Sequence, residues 1–281
     1  MNALDTIVFE TPIVRAARFR CATTDRRFRD SGPAENCAVV FPRTAVWLRY
    51  ADAPAFVADP SLATIYNPGQ EYTREVISAE GDSCEWFGVT PEIALEIAAS
   101  FDAASYDRVE RPFAPRAAPV DRALYLAQRA LFTRLENRTV DRLEAEEAIV
   151  SLVTAVIARG YTEAKQSRKS DDARRDLVER AKASLSRSLT DHRGLNELAS
   201  ELGVSPFHLC RVFREHTGST LHEFKTDLRL RYALGRLTER SADLSRVAYE
   251  CGFSSHSHFT ASMRSKFGHT PSALRNDLTT T

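Results

Sequence analysis

Apolar positions fall into distinct textures along the chain. Up to about Arg116, short apolar runs alternate with turn-forming residues. The runs are Ala38–Phe41, Ala45–Tyr50, Ala55–Val57, Ala63–Tyr66, Tyr72–Ile77 and Glu85–Val89, and the breaks include Asp59-Pro60, Asn67-Pro68-Gly69 and Glu80-Gly81-Asp82. Short strands at roughly ten-residue spacing predict a barrel or sandwich. One short helix is expected at Pro91–Phe101, where Ile93, Ile97 and Phe101 recur four apart. From Pro119 to Gly160 the period becomes helical. Leu124, Ala127, Leu131 and Leu135 form one stripe, and Leu143, Ala148, Leu152 and Val156 form another. The connection Asn137–Val140 is short, so the two helices should pair antiparallel, and Gly160 is expected to end the second. Tyr161–Asp172 is polar and reads as a linker. The expected organisation is a first domain over 1–162 with a helix pair at 119–160, a linker at 163–173, and a second domain over 174–281.

The second domain is patterned as helix throughout, and it contains a repeat. Leu195-Asn-Glu-Leu-Ala-Ser-Glu-Leu-Gly203 matches Leu244-Ser-Arg-Val-Ala-Tyr-Glu-Cys-Gly252 at an offset of 49. Beyond the glycine the offset becomes 50, so that Ser205, Leu209, Phe213 and Gly218 match Ser255, Phe259, Met263 and Gly268. Each copy has one physical logic. A first helix buries i, i+3, i+4 and i+7, and a small Ala199 or Ala248 admits a second helix closely. Gly203 and Gly252 supply a left-handed end, and Val204 and Phe253 plug the corner. Ser205, with Pro206 behind it, caps the next helix, as does Ser254 or Ser255 in the second copy. These are helix-turn-helix units, at about 195–217 and 244–267. Between them, Leu221–Leu237 is a helix of about 25 Å with Leu221, Phe224, Leu228, Leu234 and Leu237 on its apolar face. A rod of that length can hold two reading helices near one DNA turn apart, about 34 Å.

These residues resemble the DNA-binding domain of AraC/XylS-type regulators over about 100 residues, Asp176 to Arg275. The most specific stretch is Ala248-Tyr-Glu-Cys-Gly-Phe-Ser-Ser-His-Ser-His-Phe259, followed by Lys266-Phe-Gly-His-Thr-Pro-Ser-Ala-Leu-Arg275. The first copy matches at Leu198-Ala199, Gly203-Val-Ser205, His208-Leu209, Arg211, Phe213 and Gly218, and the connecting helix at Leu228-Arg229-Leu230. The resemblance implies that Pro206–Thr217 and Ser255–Phe267 read DNA. It places Phe207, Cys210 and Arg211 against bases in the first unit and His256, Ser257, Thr260 and Ala261 in the second. Two positions depart from the family pattern: Ala261 stands where Arg is common, and Met263 where Phe is common. Arg211 is the candidate for a guanine contact, with a phosphate contact or an intradomain ion pair as its other readings. His208 and His258 read as groove-rim or packing residues.

The front of the chain resembles the family's sensing domain, a cupin-like barrel followed by paired helices, at Val40-Phe-Pro-Arg43, Phe56-Val-Ala-Asp-Pro60, Tyr66-Asn-Pro-Gly69 and Gly81-Asp82. The resemblance adds a small-molecule effector, a homodimer through the helix pair, and RNA polymerase as further partners. Trp47, Tyr50, Tyr66, Tyr72 and Trp86 are candidate lining residues for a ligand, or plain core.

Charge and chemistry refine this. The 281 residues carry no net charge, yet 174–281 holds 17 Lys and Arg against 12 Asp and Glu, leaving 21 against 26 for 1–173. A basic rear fits a polyanion partner. All seven histidines lie at or after His192, so the front lacks the usual cupin metal ligands and any Ser–His–Asp or Cys–His site. No catalytic residue, metal or cofactor is expected. Five cysteines at 21, 37, 84, 210 and 251 form no CxxC pair and no disulfide framework. A sensory role for Cys21, Cys37 or Cys84 stays open beside simple packing. Neither a signal peptide nor a membrane span is visible, so a cytoplasmic setting is expected. The expected fold is α+β in two domains: a cupin-like β-barrel with an antiparallel helix pair, then an all-α domain of two helix-turn-helix units joined by a linker helix. The expected function is a ligand-responsive transcription regulator, activator or repressor. The alternative is a cupin-like enzyme or ligand carrier whose helical tail binds a protein.

Overall fold

The computed structural model describes residues 4–30, 32–166, 172–187, 189–237 and 243–280. The chain divides into two units, one over Met1–Arg168 and one over Lys169–Asp277.

The first unit opens with eight strands: β1 (Asp5–Glu10), β2 (Val14–Cys21), β3 (Cys37–Pro42), β4 (Val46–Tyr50), β5 (Phe56–Ala58), β6 (Leu62–Tyr66), β7 (Tyr72–Val76) and β8 (Asp82–Val89). Helix α1 (Pro91–Ala99), a 3-10 turn at Ala103–Arg108, strand β9 (Ala117–Pro119) and helices α2 (Arg122–Asn137) and α3 (Arg142–Gln166) complete it. All six apolar runs of the sequence are strands. The pattern missed β1, β2 and β9. In β2 two of the five apolar positions are alanine and arginines sit between the apolar residues, which weakens the strand signal.

The strands do not close into the expected barrel. They form a six-stranded sheet in the order β1-β2-β8-β3-β6-β9 and a separate three-stranded sheet in the order β5-β4-β7. Val40 sits at the centre of the larger sheet, opposite Trp86 on one side and Thr64 on the other. The two sheets share one apolar cluster, with Ala17, Phe19 and Cys21 of β2 packed with Val46, Leu48 and Tyr50 of β4 and Ala58 of β5. The larger sheet therefore has two different faces. Alternation sends Cys84 and Trp86 toward the smaller sheet, and Glu85 and Phe87 toward the helices. Phe87 meets Phe132 of α2 edge to face at 5.9 Å.

The helix pair is antiparallel, as its cross-links show. Asp121, at the start of α2, holds Arg159 near the end of α3 at 2.9 Å, and Arg134 near the end of α2 holds Glu144 at 2.7 Å. The stripes are shifted from the expected ones. Ala127 and Leu143 are exposed, while Leu124, Leu131, Phe132 and Leu135 face inward from α2, and Ala145, Ile149, Leu152, Val153, Val156 and Ile157 from α3. Nor does α3 stop at Gly160. A Cβ there would lie 2.7 Å from Pro115 Cβ and 3.2 Å from Ile65 Cδ1, so glycine serves close approach, not helix termination. Helix thus covers residues at both ends of the expected linker, and 167–171 lie outside the described residues.

The second unit contains α4 (Asp172–Arg187), α5 (Leu195–Glu201), α6 (Pro206–Thr217), α7 (Leu221–Leu237), α8 (Leu244–Glu250), α9 (His256–Phe267) and α10 (Pro271–Thr280). Leu177, Val178, Ala181 and Leu185 of α4 pack with Leu198, Leu202, Leu209, Val212 and Phe213 into one core, joined by Phe224 and Leu228 of α7. The second copy buries Val247, Ala248, Cys251, Phe253, Phe259, Met263 and Phe267.

Candidate nucleic-acid interface

The corner between helices is built the same way twice. Gly203 and Gly252 take φ of 72° and 78°, in the left-handed region. The Val204 N–H donates to Ala199 O at 3.0 Å, and the Phe253 N–H donates to Ala248 O at 3.0 Å. The Gly203 and Gly252 amides donate to Ser200 O and Tyr249 O at 3.1 and 2.9 Å. These paired bonds satisfy the carbonyls left open at a helix end. Ser205 Oγ then accepts from the His208 N–H at 3.2 Å, and Ser255 Oγ from the His258 N–H at 3.1 Å, so Ser255 is the second cap. Gly218 and Gly268 end α6 and α9 at φ of 70° and 79°.

With Leu209, Val212 and Phe213 buried on α6, its opposite face is open. Phe207 is 78% exposed, and Cys210 and Arg211 are exposed beside it. Arg211 Nη1 lies 3.0 Å from Glu215 Oε1, an i,i+4 ion pair at the surface. Such a pair is worth little in water, so the guanidinium is cheaply released to a base or phosphate. On α9, His256, Ser257 and Ala261 are exposed. Thr260 is not brought to this face in the same way: it is half-buried, and its Oγ1 is shielded from solvent with no hydrogen-bond partner. His258 packs its ring 5.5 Å from Phe253, with Nδ1 3.3 Å from Ser254 Oγ.

Two residues were missed on these faces. Arg214 on α6 and Arg264 on α9 are both exposed and stand at the same offset of 50 as the caps. The repeat itself contained the signal, since both arginines recur at the offset that relates the two caps.

A family model described as a helix-turn-helix domain matches residues 198–277, within the second unit of the chain. The HTH-type transcriptional regulator GlxA of Rhizobium meliloti is 36% identical over 99 residues, covering 35% of this chain and 29% of that protein. The probable transcription factor PqrA of Proteus vulgaris is 33% identical over 83 residues, covering 30% of this chain and 68% of that protein. The chain belongs to the AraC/XylS family. A solved AraC-type regulator from Chromobacterium violaceum is 25% identical and covers 38% of this chain and 96% of that one, with a TM-score of 0.36. The chain spans about a third of the length of the first curated relatives it matches. In this AraC/XylS chain the matched region runs from α5 into α10.

The first unit of the chain holds a cavity of about 350 Å³ between its two sheets. Tyr66, Tyr72 and Trp86 line it, as the sequence suggested; Tyr50 and Trp47 do not. Tyr50 is core, its hydroxyl donating to Ile65 O at 3.1 Å. Four charged residues that sequence reasoning did not single out also line the cavity: Asp5, Glu35, Arg74 and Asp82. They come from separated segments, so no local spacing announces them.

Behind the cavity wall lies a buried polar cluster. Glu85 on β8 accepts from Gln128 Nε2 at 2.6 Å and pairs with Arg129, both on α2. Burial would raise the Glu85 carboxyl, but the Arg129 and Arg43 guanidiniums outweigh it and hold the group down at about 2. Arg43 donates to the Tyr125 hydroxyl at 2.6 Å. Glu85 therefore ties the sheet to the helix pair between two cavity-facing neighbours, Cys84 and Trp86. The cysteines of this unit are all buried. Burial pushes the Cys37 thiol up to about 12 and Cys21 and Cys84 upward too, which keeps them protonated and poorly nucleophilic. Among the described residues, no group of three or more His, Cys, Asp or Glu is placed to hold a metal ion, and no helix is long and apolar enough to cross a membrane.

Proposed function

We propose that this chain is a sequence-specific transcription regulator in which α6 and α9 enter the major groove of double-stranded DNA and a small molecule in the sheet cavity acts as effector. The observation that carries it is the twice-built corner and cap, which leaves two helices with open, arginine-bearing faces. Arg211 reads a base edge, with Phe207 and Cys210 beside it; His256, Ser257 and Ala261 make weaker base contacts, with Thr260 at their margin. Arg214 and Arg264 grip phosphates.

The first domain, 1–162, is read as a cupin-like sensing and dimerisation domain, opened into two facing sheets. Residues 163–173 connect it to the DNA-binding domain at 174–281. The protein works in the cytoplasm as a homodimer through α2 and α3, without catalysis, and RNA polymerase is a further partner. The absence of histidine from the first 191 residues supports the non-enzymatic reading. A shift assay on the promoter beside its own gene tests the whole. Log affinity should fall steeply with log salt as phosphate contacts release counterions. No binding, or a flat salt response, would favour a helical tail that engages protein instead.

A further inference from the structure

The cavity of the first unit carries charges whose sign selects a guest. Arg74, the cation among its lining residues, is already committed. Its Nη1 pairs with Asp82, its Nη2 donates to Arg27 O at 3.2 Å, and the residue is 3% exposed. Its guanidinium carbon also sits 4.7 Å from the Phe19 ring centroid and 5.5 Å from that of Phe28. A guest carboxylate would have to displace Asp82 from this setting, at the cost of leaving a buried charge uncompensated.

Asp5 and Glu35 then decide the sign of the rest. Asp5 lies on β1, opposite Phe19 in the register, and accepts the Trp86 Nε1–H at 2.8 Å. Glu35 lies in the segment before β3 and is exposed. Burial, and then the charge of Glu35, push the Asp5 carboxyl above the usual carboxylate range. Arg15, which acts the other way on Asp5, is itself paired with Glu10. A positive charge seated between the two acids offsets their mutual repulsion and the burial of the Asp5 carboxylate. Beside them stand the rings of Trp86, Tyr66 and Tyr72, with Tyr66 and Tyr72 edge to face at 5.0 Å. Aromatic faces beside carboxylates favour an organic cation over a bare metal ion. A volume of about 350 Å³ suits a metabolite-sized guest.

We propose that the effector is a small organic cation, a protonated amine on an aromatic or compact apolar body, with its ammonium held by Asp5 and Glu35 and its body against Trp86 and the tyrosines. This rests on the cavity being the effector site.

Calorimetric titration of the full chain tests both layers. Phenethylamine, tyramine and cyclohexylamine are set against 3-phenylpropionate, cyclohexanecarboxylate and 3-phenylpropanol at neutral pH. The amines should bind at least about tenfold tighter than the acids and the alcohol. Asp5→Asn keeps a carbonyl acceptor for Trp86, and Glu35→Gln alters an exposed side chain. Each should weaken the amines about tenfold, as expected for loss of a charge-assisted hydrogen bond, and leave the alcohol unchanged. Unaltered thermal midpoints would confirm that both variants fold. Acids or alcohol binding better than amines would overturn the cation class and leave the effector cavity standing. Amine binding indifferent to both substitutions would overturn the placement. Failure of every probe to bind would overturn the cavity reading along with the class.

Discussion

In the first helix-turn-helix unit a Cβ placed on Gly203 would meet nothing within 4 Å; in the second, one on Gly252 would lie 2.6 Å from Leu189 O and 2.9 Å from Thr190 Cα. The two glycines share a φ and a hydrogen-bond pattern, yet one is free and the other is wedged. Arg229 of the connecting helix explains the crowding, because its Nε donates to Leu189 O at 2.6 Å and holds that turn against the second corner. The outer faces differ as well. One offers Phe207, Cys210 and Arg211, the other His256, Ser257 and Ala261. Buried positions are constrained by the same packing problem in both copies and so match. Surroundings and outer faces answer to different neighbours and so diverge.

The largest test of this difference is Gly252→Ala against Gly203→Ala. The second should cost about 1–2 kcal/mol for the left-handed backbone alone. The first adds a backbone clash and should cost about 2–5 kcal/mol in chemical denaturation of the same chain. Equal losses would mean that Gly252 is not wedged. Next in size is Arg211→Ala, expected to weaken operator binding by about 1–3 kcal/mol and to relax one position of the selected motif. An unchanged motif in a selection experiment would assign Arg211 to phosphate or to its ion pair with Glu215. The caps should then behave as equals: Ser205→Ala and Ser255→Ala each lower stability by about 1 kcal/mol. Smallest in sequence effect are Arg214→Ala and Arg264→Ala. Each should weaken binding evenly across sequences and reduce the salt slope by about 1. A change in motif for one alone would break the symmetry assigned to them.

The sheet-bearing first unit adds a pH test at a buried carboxylate. Glu85 is held at about 2 against an ordinary 4.5, so its contribution is fully present above pH 4.5 and is lost as pH falls toward 2. Glu85→Gln should therefore flatten the acid limb of the stability curve for this unit while lowering stability at neutral pH. An acid limb identical in the variant would show that other carboxylates carry it.

Amino-acid order by itself determined the second unit to a fine level. Helix periodicity, corner glycines and caps are written within a few residues of one another, because each bond that closes a turn joins near neighbours in the chain. The same holds for the six apolar strands of the first unit, and for the antiparallel pairing that the short Asn137–Val140 connection imposes on its helices. Tertiary structure alone decided the rest. Strand order in the six-stranded sheet sets β2 between β1 and β8, so Asp5 meets Trp86 across 81 positions. It leaves the sheet open where a barrel was expected. It explains Gly160 by Pro115, a contact no window around Gly160 contains. It also places Arg18 of β2 and Glu136 of α2 at 2.9 Å, where an arginine within a strand was the very feature that hid the strand. Short-range bonds leave a pattern in the sequence because both partners lie in one window. The cavity, its charges and the buried Glu85 cluster depend on which distant segments pack together, and that is settled by burial of the whole sheet at once.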